Sequence, residues 1–196
     1  MNTPRLSADA RREQILDVAI DVFGRSGYFG SSMNDIADAA GVTKPVLYQH
    51  FDSKSDLYSA LLEEVGNRML EAIAKATANS TSGKQQTELG FRAYFRWVAH
   101  RHDEFMLLFG GSARHDGEFS AQVRRITNDA AAAIAPLISV DLEPEHRTTL
   151  AHALVGLAEG ASRRLVGLGE RFDPDVIARE VSDLAWAGLR AISPSS

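Results

Sequence analysis

The chain has 196 residues, 44% of them hydrophobic and 24% charged, with a net charge of −5 and no cysteine. That is length and apolar content enough for a packed core, in one large domain or two small units, while the missing cysteines exclude disulfides, thiolate metal sites and cysteine nucleophiles. No apolar run approaches the roughly 20 residues that span a bilayer, and the first 30 residues carry charges every few positions where a signal peptide has its apolar core, so a cytoplasmic protein with no membrane partner is expected.

Along the chain, apolar residues recur with the helical period and hardly anywhere with the period of a strand, which predicts an all-α fold of about nine helices. A first helix is expected over about 8–26, with Ile15, Leu16, Ala19, Ile20 and Phe23 on one face. Ser32 and Asp35 have the spacing of a capping box and open a second helix. It runs to about Ala39, and Gly41 fits the left-handed position of a tight turn. Thr43 is expected to cap a third, short helix with Pro45 in its first turn, where no amide partner is lost. Ser53 and Asp56 repeat the cap-plus-acid spacing ahead of a long fourth helix to about Ala78.

A polar loop, Asn79 to Lys84, follows. Beyond it Phe91, Tyr94, Phe95 and Val98, then Phe105, Leu108 and Phe109, stand at helical spacing before Gly110 and Gly111 break the pattern. Phe119, Val123, Ile126, Ala130, Ala133 and Leu137 continue it, as do Leu150, Leu154, Leu157, Ala161 and Leu165. Asp173 and Pro174 read as cap and first position of a last helix that carries Ile177, Val181, Leu184, Gly188 and Ile192. Residues 1–6 and 193–196 are expected to be disordered tails.

Two short helices joined by a glycine turn form a helix-turn-helix, whose second helix enters the DNA major groove. The third helix here is too short to build a core and carries Lys44, Pro45, Tyr48, Gln49 and His50, with Leu47 turned inward. Lys44 can reach guanine O6/N7 or a phosphate, and Pro45 offers an apolar face to a thymine methyl. Asn34 can reach a base edge, Ser31, Ser32 and Thr43 can give hydroxyls to phosphates, and Lys54 adds charge. Residues 1–56 hold six Lys/Arg against eight Asp/Glu, a net of −2. A domain-wide basic footprint is therefore missing, and binding has to rest on where the positive groups sit.

The run Ser31-Ser32, Ile36-Ala37, Ala40-Gly41-Val42, Leu47-Tyr48, His50-Phe51 and Lys54 resembles the DNA-binding domain of TetR-family transcriptional regulators. The resemblance covers about residues 9–65. It implies a helix-turn-helix domain over 8–54 (motif about 32–51) and a helical effector-binding and dimerisation domain over 55–193. It also implies that Tyr48 and His50 touch the sugar–phosphate backbone.

The density of rings after residue 90 suggests an effector cavity lined by Phe91, Tyr94, Phe95, Val98, Phe105, Phe109 and Phe119. Such a lining favours an apolar, ring-containing or acyl-chain ligand. A packed core explains many of the same residues, and Tyr94 is singled out because a buried hydroxyl needs a partner. The last two helices are rich in small residues. The resemblance implies a four-helix bundle across a two-fold axis, through Leu154, Leu157, Ala161, Leu165, Leu184 and Gly188. His100, His102, Glu104, His115 and Asp116 resemble metal ligands on paper. Residues two apart diverge on a helix, so a solvated helix end is expected there, with no metal and no cofactor. No phosphate loop, dinucleotide fingerprint or nucleophile elbow occurs.

The sequence thus reads as a homodimeric repressor that binds a palindromic operator in double-stranded DNA and is released by a small apolar effector. Two other readings are a regulator that works without a ligand and an enzyme using the helical cavity. The enzyme needs a pair of titratable groups in that cavity, and no convincing pair is present.

Overall fold

A computed structural model describes residues 7–110, 117–138, 142–167 and 172–192. Both tails expected to be disordered, and the pair His115 and Asp116, lie outside these residues. Among the described residues there are nine α-helices and one short 3-10 turn, and no strand. None of the helices is long and apolar enough to cross a membrane.

The first three helices follow from local chemistry. Helix α1, Ala8–Gly30, is capped by Ser7, whose side chain accepts from the Ala10 amide. It breaks at Gly27, which takes a positive φ of 68°, just past the end read at residue 26. Helix α2, Met33–Ala39, opens with the full capping box: the Ser32 and Asp35 side chains each bond the other's amide. It closes in a Schellman turn, with the Val42 amide on the Ala37 carbonyl and the Gly41 amide on that of Asp38. Gly41 has a φ of 63°, a conformation that a side chain disfavours. Helix α3, Lys44–His50, carries Pro45 in its first turn. Thr43 stands at its cap position but makes no side-chain cap bond, so the expected Thr43 cap is not formed. With the proline ring removing one amide from that turn, the hydroxyl has less to accept from.

Helix α4, Lys54–Thr77, begins with the Asp56 amide on Ser53 Oγ, as the spacing predicts. Then come α5, Gly83–His100, and α6, His102–Phe109. Helix α7, Gly117–Ile134, runs into the 3-10 turn Ala135–Leu137 at Pro136. Helix α8, Pro144–Val166, and α9, Pro174–Ala191, end the chain, and Asp173 caps α9 through the Asp175 and Val176 amides.

The structure divides into two compact units. The first joins the described residues of Met1–Val65 to those of Asp103–Gln122, and the second joins Gly66–His102 to the described residues of Val123–Ser196. Helix α6 and the start of α7 thus pack with α1, α2, α3 and the first part of α4. In the first unit Ile15, Leu16, Phe23, Ile36, Leu47, Phe51, Leu57 and Leu61 are buried. Tyr58 centres a ring cluster, 5.0 Å from Phe23 and Tyr28 and 4.7 Å from Phe119. Apolar burial of this kind supplies most of the stability of helices as short as α2 and α3.

Gly24 of α1 is required by a close approach within this unit. A Cβ there would stand 2.9 Å from the Asp103 Cβ. Gly24→Ala should therefore destabilise the first unit by about 1–3 kcal/mol through overpacking, although alanine favours a helix. Urea unfolding is the measurement, and unchanged stability would mean that α6 is not seated on α1.

In the second unit α5 packs on α8 and α9, and α8 on α9. Phe91, Tyr94, Phe95, Trp97 and Val98 are buried with Ala151, Ala158, Ala178, Ala185 and Leu189. Small residues on α8 and α9 let the helices approach the bulky rings of α5. Arg96 of α5 grips Asp175 of α9 with two hydrogen bonds, 2.7 and 2.8 Å. That hydrogen bond holds the Asp175 carboxyl below its usual pKa. The pair is exposed to water and adds little stability, but it fixes the register of α5 against α9.

Candidate nucleic-acid interface

Helix α3 presents one wet face. Leu47 is fully buried, so the opposite side of the helix must face outward. Thr43, Lys44, Pro45, Tyr48 and Gln49 are exposed there, and His50 is half-buried. Tyr48 is 42% exposed, which makes it one of the few large rings the protein leaves in water. Lys44 and Tyr48 stand one turn apart, with the Lys44 ammonium 5.9 Å from the Tyr48 ring centre. They form a single patch with a cation, a hydroxyl and a flat apolar surface. Ser32 and Asn34, at the start of α2, are exposed as well.

Two residues read as phosphate donors are engaged inside the unit. Ser31 is 6% exposed, and its hydroxyl donates to the Gly27 carbonyl at 2.6 Å. Lys54 donates to the carbonyls of Tyr28 and Ser31 at 2.8 and 2.9 Å and lies 4.4 Å over the Tyr28 ring. Both close the end of α1, where Gly27 turns the chain and leaves carbonyls without helical partners. Lys54 thus ties α4 to the turn that leads into α2. The Lys54 bonds were not visible in the sequence, because they pair residues 26 and 23 positions apart, whereas the Ser31 bond spans four. Arg12 was also missed: its guanidinium lies 5.0 Å over the Phe51 ring, beside the end of α3. Positive charge therefore reaches this face from α1 as well as from Lys44, in a stretch whose net charge is negative.

The rings read as an effector lining divide between the units. Phe91, Tyr94, Phe95 and Val98 are buried in the second unit, with Phe91 and Phe95 stacked 6.2 Å apart. Phe105 and Phe109 pack on one another in the first unit, and Phe119 packs on Tyr28 and Tyr58 there. On the last two helices Leu184 is 64% exposed, and Gly156, Gly160 and Gly188 have open space where a Cβ would stand. Leu154, Leu157 and Ala161 are half-buried. Leu165, by contrast, is 9% exposed and belongs to the core of the single chain. No cluster of metal-ligating side chains exists among the described residues. Glu104, one of the paper ligands, is buried in α6.

Residues 15–61 match the family described as bacterial regulatory proteins, tetR family, and residues 83–188 match the tetracyclin repressor-like C-terminal domain. The chain belongs to the TetR family of transcriptional regulators. It is 33% identical to the transcriptional activator FasR of Mycolicibacterium smegmatis over 94% of this chain and 85% of that protein. A TetR-like regulator from Rhodococcus sp. RHA1 superposes with a TM-score of 0.77 at 30% identity, covering 96% of this chain and 100% of that one. FadR of Bacillus subtilis, solved with stearoyl-CoA, shares the fold at a TM-score of 0.79 and 19% identity, covering 90% of this chain and 98% of that one. The helix-turn-helix matched by residues 15–61 is a DNA-binding unit.

Proposed function

We propose that this TetR-family protein is a homodimeric repressor that binds a palindromic operator and leaves it when a long-chain acyl thioester binds the second unit. The observation that carries the DNA reading is the exposed face of α3, with Lys44 and Tyr48 in one patch over a buried Leu47. Lys44 reads a guanine edge or a phosphate, Pro45 meets a methyl group, and Thr43, Tyr48 and His50 hold the sugar–phosphate backbone. Asn34 and Ser32 flank them from α2, and Gln49 completes the face. Ser31 and Lys54 hold the turn behind it.

The open stripe of Gly156, Gly160, Leu184 and Gly188 supports a subunit contact through α8 and α9. Two α3 helices about 34–36 Å apart then meet one face of the duplex. The buried rings of α5 support an apolar effector, and the fold is one in which FadR carries stearoyl-CoA. The effector acts to the extent that it binds the state with displaced α3 helices more tightly. FasR, an activator, favours a second sense of regulation. An operator overlapping the promoter goes with repression, and one upstream of it goes with activation.

Selection from random-sequence DNA with the purified protein tests the reading. The expected result is an inverted repeat with half-sites about one helical turn apart. Recovery of no preferred sequence, or of a single half-site, would remove the palindromic operator.

A further inference from the structure

Tyr94 and Ser162 are two buried hydroxyls that approach one another from different helices of the second unit. Tyr94 is on α5 and 7% exposed; Ser162 is on α8 and fully buried. Among the described residues neither hydroxyl meets hydrogen-bond geometry with any partner. Such groups are rare in folded proteins, because a donor removed from water without a partner destabilises the fold. Two of them at one place form a built feature.

Their surroundings define what they accept. The Tyr94 ring packs edge-on to Phe95 at 5.5 Å and lies 6.1 Å from Trp97. Burial pushes the phenol up to about 12, and the nearby Ser162 hydroxyl offsets this in part. The contact between the two hydroxyls falls short of hydrogen-bond geometry. At physiological pH the phenol is therefore neutral and available as a donor. Arg163, the next residue, pairs one guanidinium nitrogen with Glu159, which compensates its charge locally, while its buried Nε has no hydrogen-bond partner among the described residues. Two neutral donors against aromatic walls suit an uncharged oxygen acceptor with an apolar chain attached. They do not suit a phosphate, which needs charge compensation.

We infer that Tyr94 Oη and Ser162 Oγ anchor the carbonyl oxygen of an acyl thioester, both donating to it, while the rings of α5 take the chain. This rests on the effector reading proposed above and adds the atom by which the ligand is held. The two hydroxyls lie on α5 and α8, so an anchored carbonyl joins the helix that carries the rings to one of the helices of the proposed subunit contact. Free of ligand, the pair is a local weakness; with ligand, each hydroxyl gains a bond.

Isothermal titration with palmitoyl-CoA and with S-hexadecyl-CoA, a thioether of equal chain length that lacks the carbonyl, tests the anchor. The wild type should bind the thioester about 10-fold more tightly. Tyr94→Phe and Ser162→Ala should each lose roughly 3–10-fold for palmitoyl-CoA, the equivalent of one neutral hydrogen bond, and nothing for the thioether. The free variants should melt at or above the wild-type temperature, because each sheds an unpartnered hydroxyl. Equal wild-type affinity for both ligands would overturn the anchor and leave the apolar effector standing. Failure to bind either ligand would overturn the anchor together with the acyl reading. A fall of several degrees in the melting temperature of the free Tyr94→Phe protein would show that its hydroxyl serves the fold, and would also overturn the inference.

Discussion

Leu184→Glu should convert the protein from a dimer to a monomer of 21.3 kDa without lowering the stability of the single chain. Leu184 is 64% exposed, so a glutamate there stands in water when the subunit is alone. In the proposed dimer the same carboxylate is buried against apolar groups, which costs several kcal/mol. Gly188, one turn on along α9, has no side chain to shield the charge. Operator affinity should then fall by about 10²–10⁴-fold, because one half-site contact loses the effective concentration that links it to the second. Sedimentation velocity and DNA binding on the same sample measure both effects. A Leu184→Glu protein that remains dimeric would move the subunit contact to another surface.

Lys44→Ala should weaken operator binding by about 1–3 kcal/mol, the range for a good base contact. The residue is exposed, and its ammonium makes no ion pair among the described residues, so the fold should be indifferent to its loss. Fluorescence anisotropy at several salt concentrations, on operator and scrambled duplexes, separates the two roles a lysine can play. A loss confined to the operator identifies a base contact. A loss equal on both duplexes, with the salt slope reduced by about one, identifies a phosphate contact. Equal affinity of wild type and variant on both duplexes would take Lys44 out of the interface. The contrast with Lys54 is instructive: Lys54→Ala should lower stability first, since its ammonium holds the Tyr28 and Ser31 carbonyls at the end of α1.

The parts of this fold that were legible in the sequence are those encoded within a few residues. Ser32 with Asp35, Gly41 in its turn, Ser53 with Asp56, and Asp173 before Pro174 each do locally what their spacing predicts. The helices of the helix-turn-helix are built largely from such local signals. What depends on distant partners was hidden. Lys54 looks like a free cation until α1 and α4 are brought together. Periodicity put Phe105, Phe109 and Phe119 in one list with Phe91 and Tyr94, because period reports a buried face and not which core buries it. The return of the described residues of 103–122 to the first unit is a matter of tertiary packing that no local pattern announces. Ser162 illustrates the same limit: a small polar residue on an otherwise ordinary helix gives no sign that its hydroxyl is buried opposite Tyr94.

In the proposed function one protein couples operator binding through α3 to an acyl ligand in its second unit. Titration of palmitoyl-CoA into the complex with fluorescently labelled operator DNA tests that coupling most directly. Anisotropy should fall to that of free DNA as the ligand saturates, with operator affinity reduced by about 5–150-fold. Anisotropy that stays at the value of the complex under saturating palmitoyl-CoA would contradict the account.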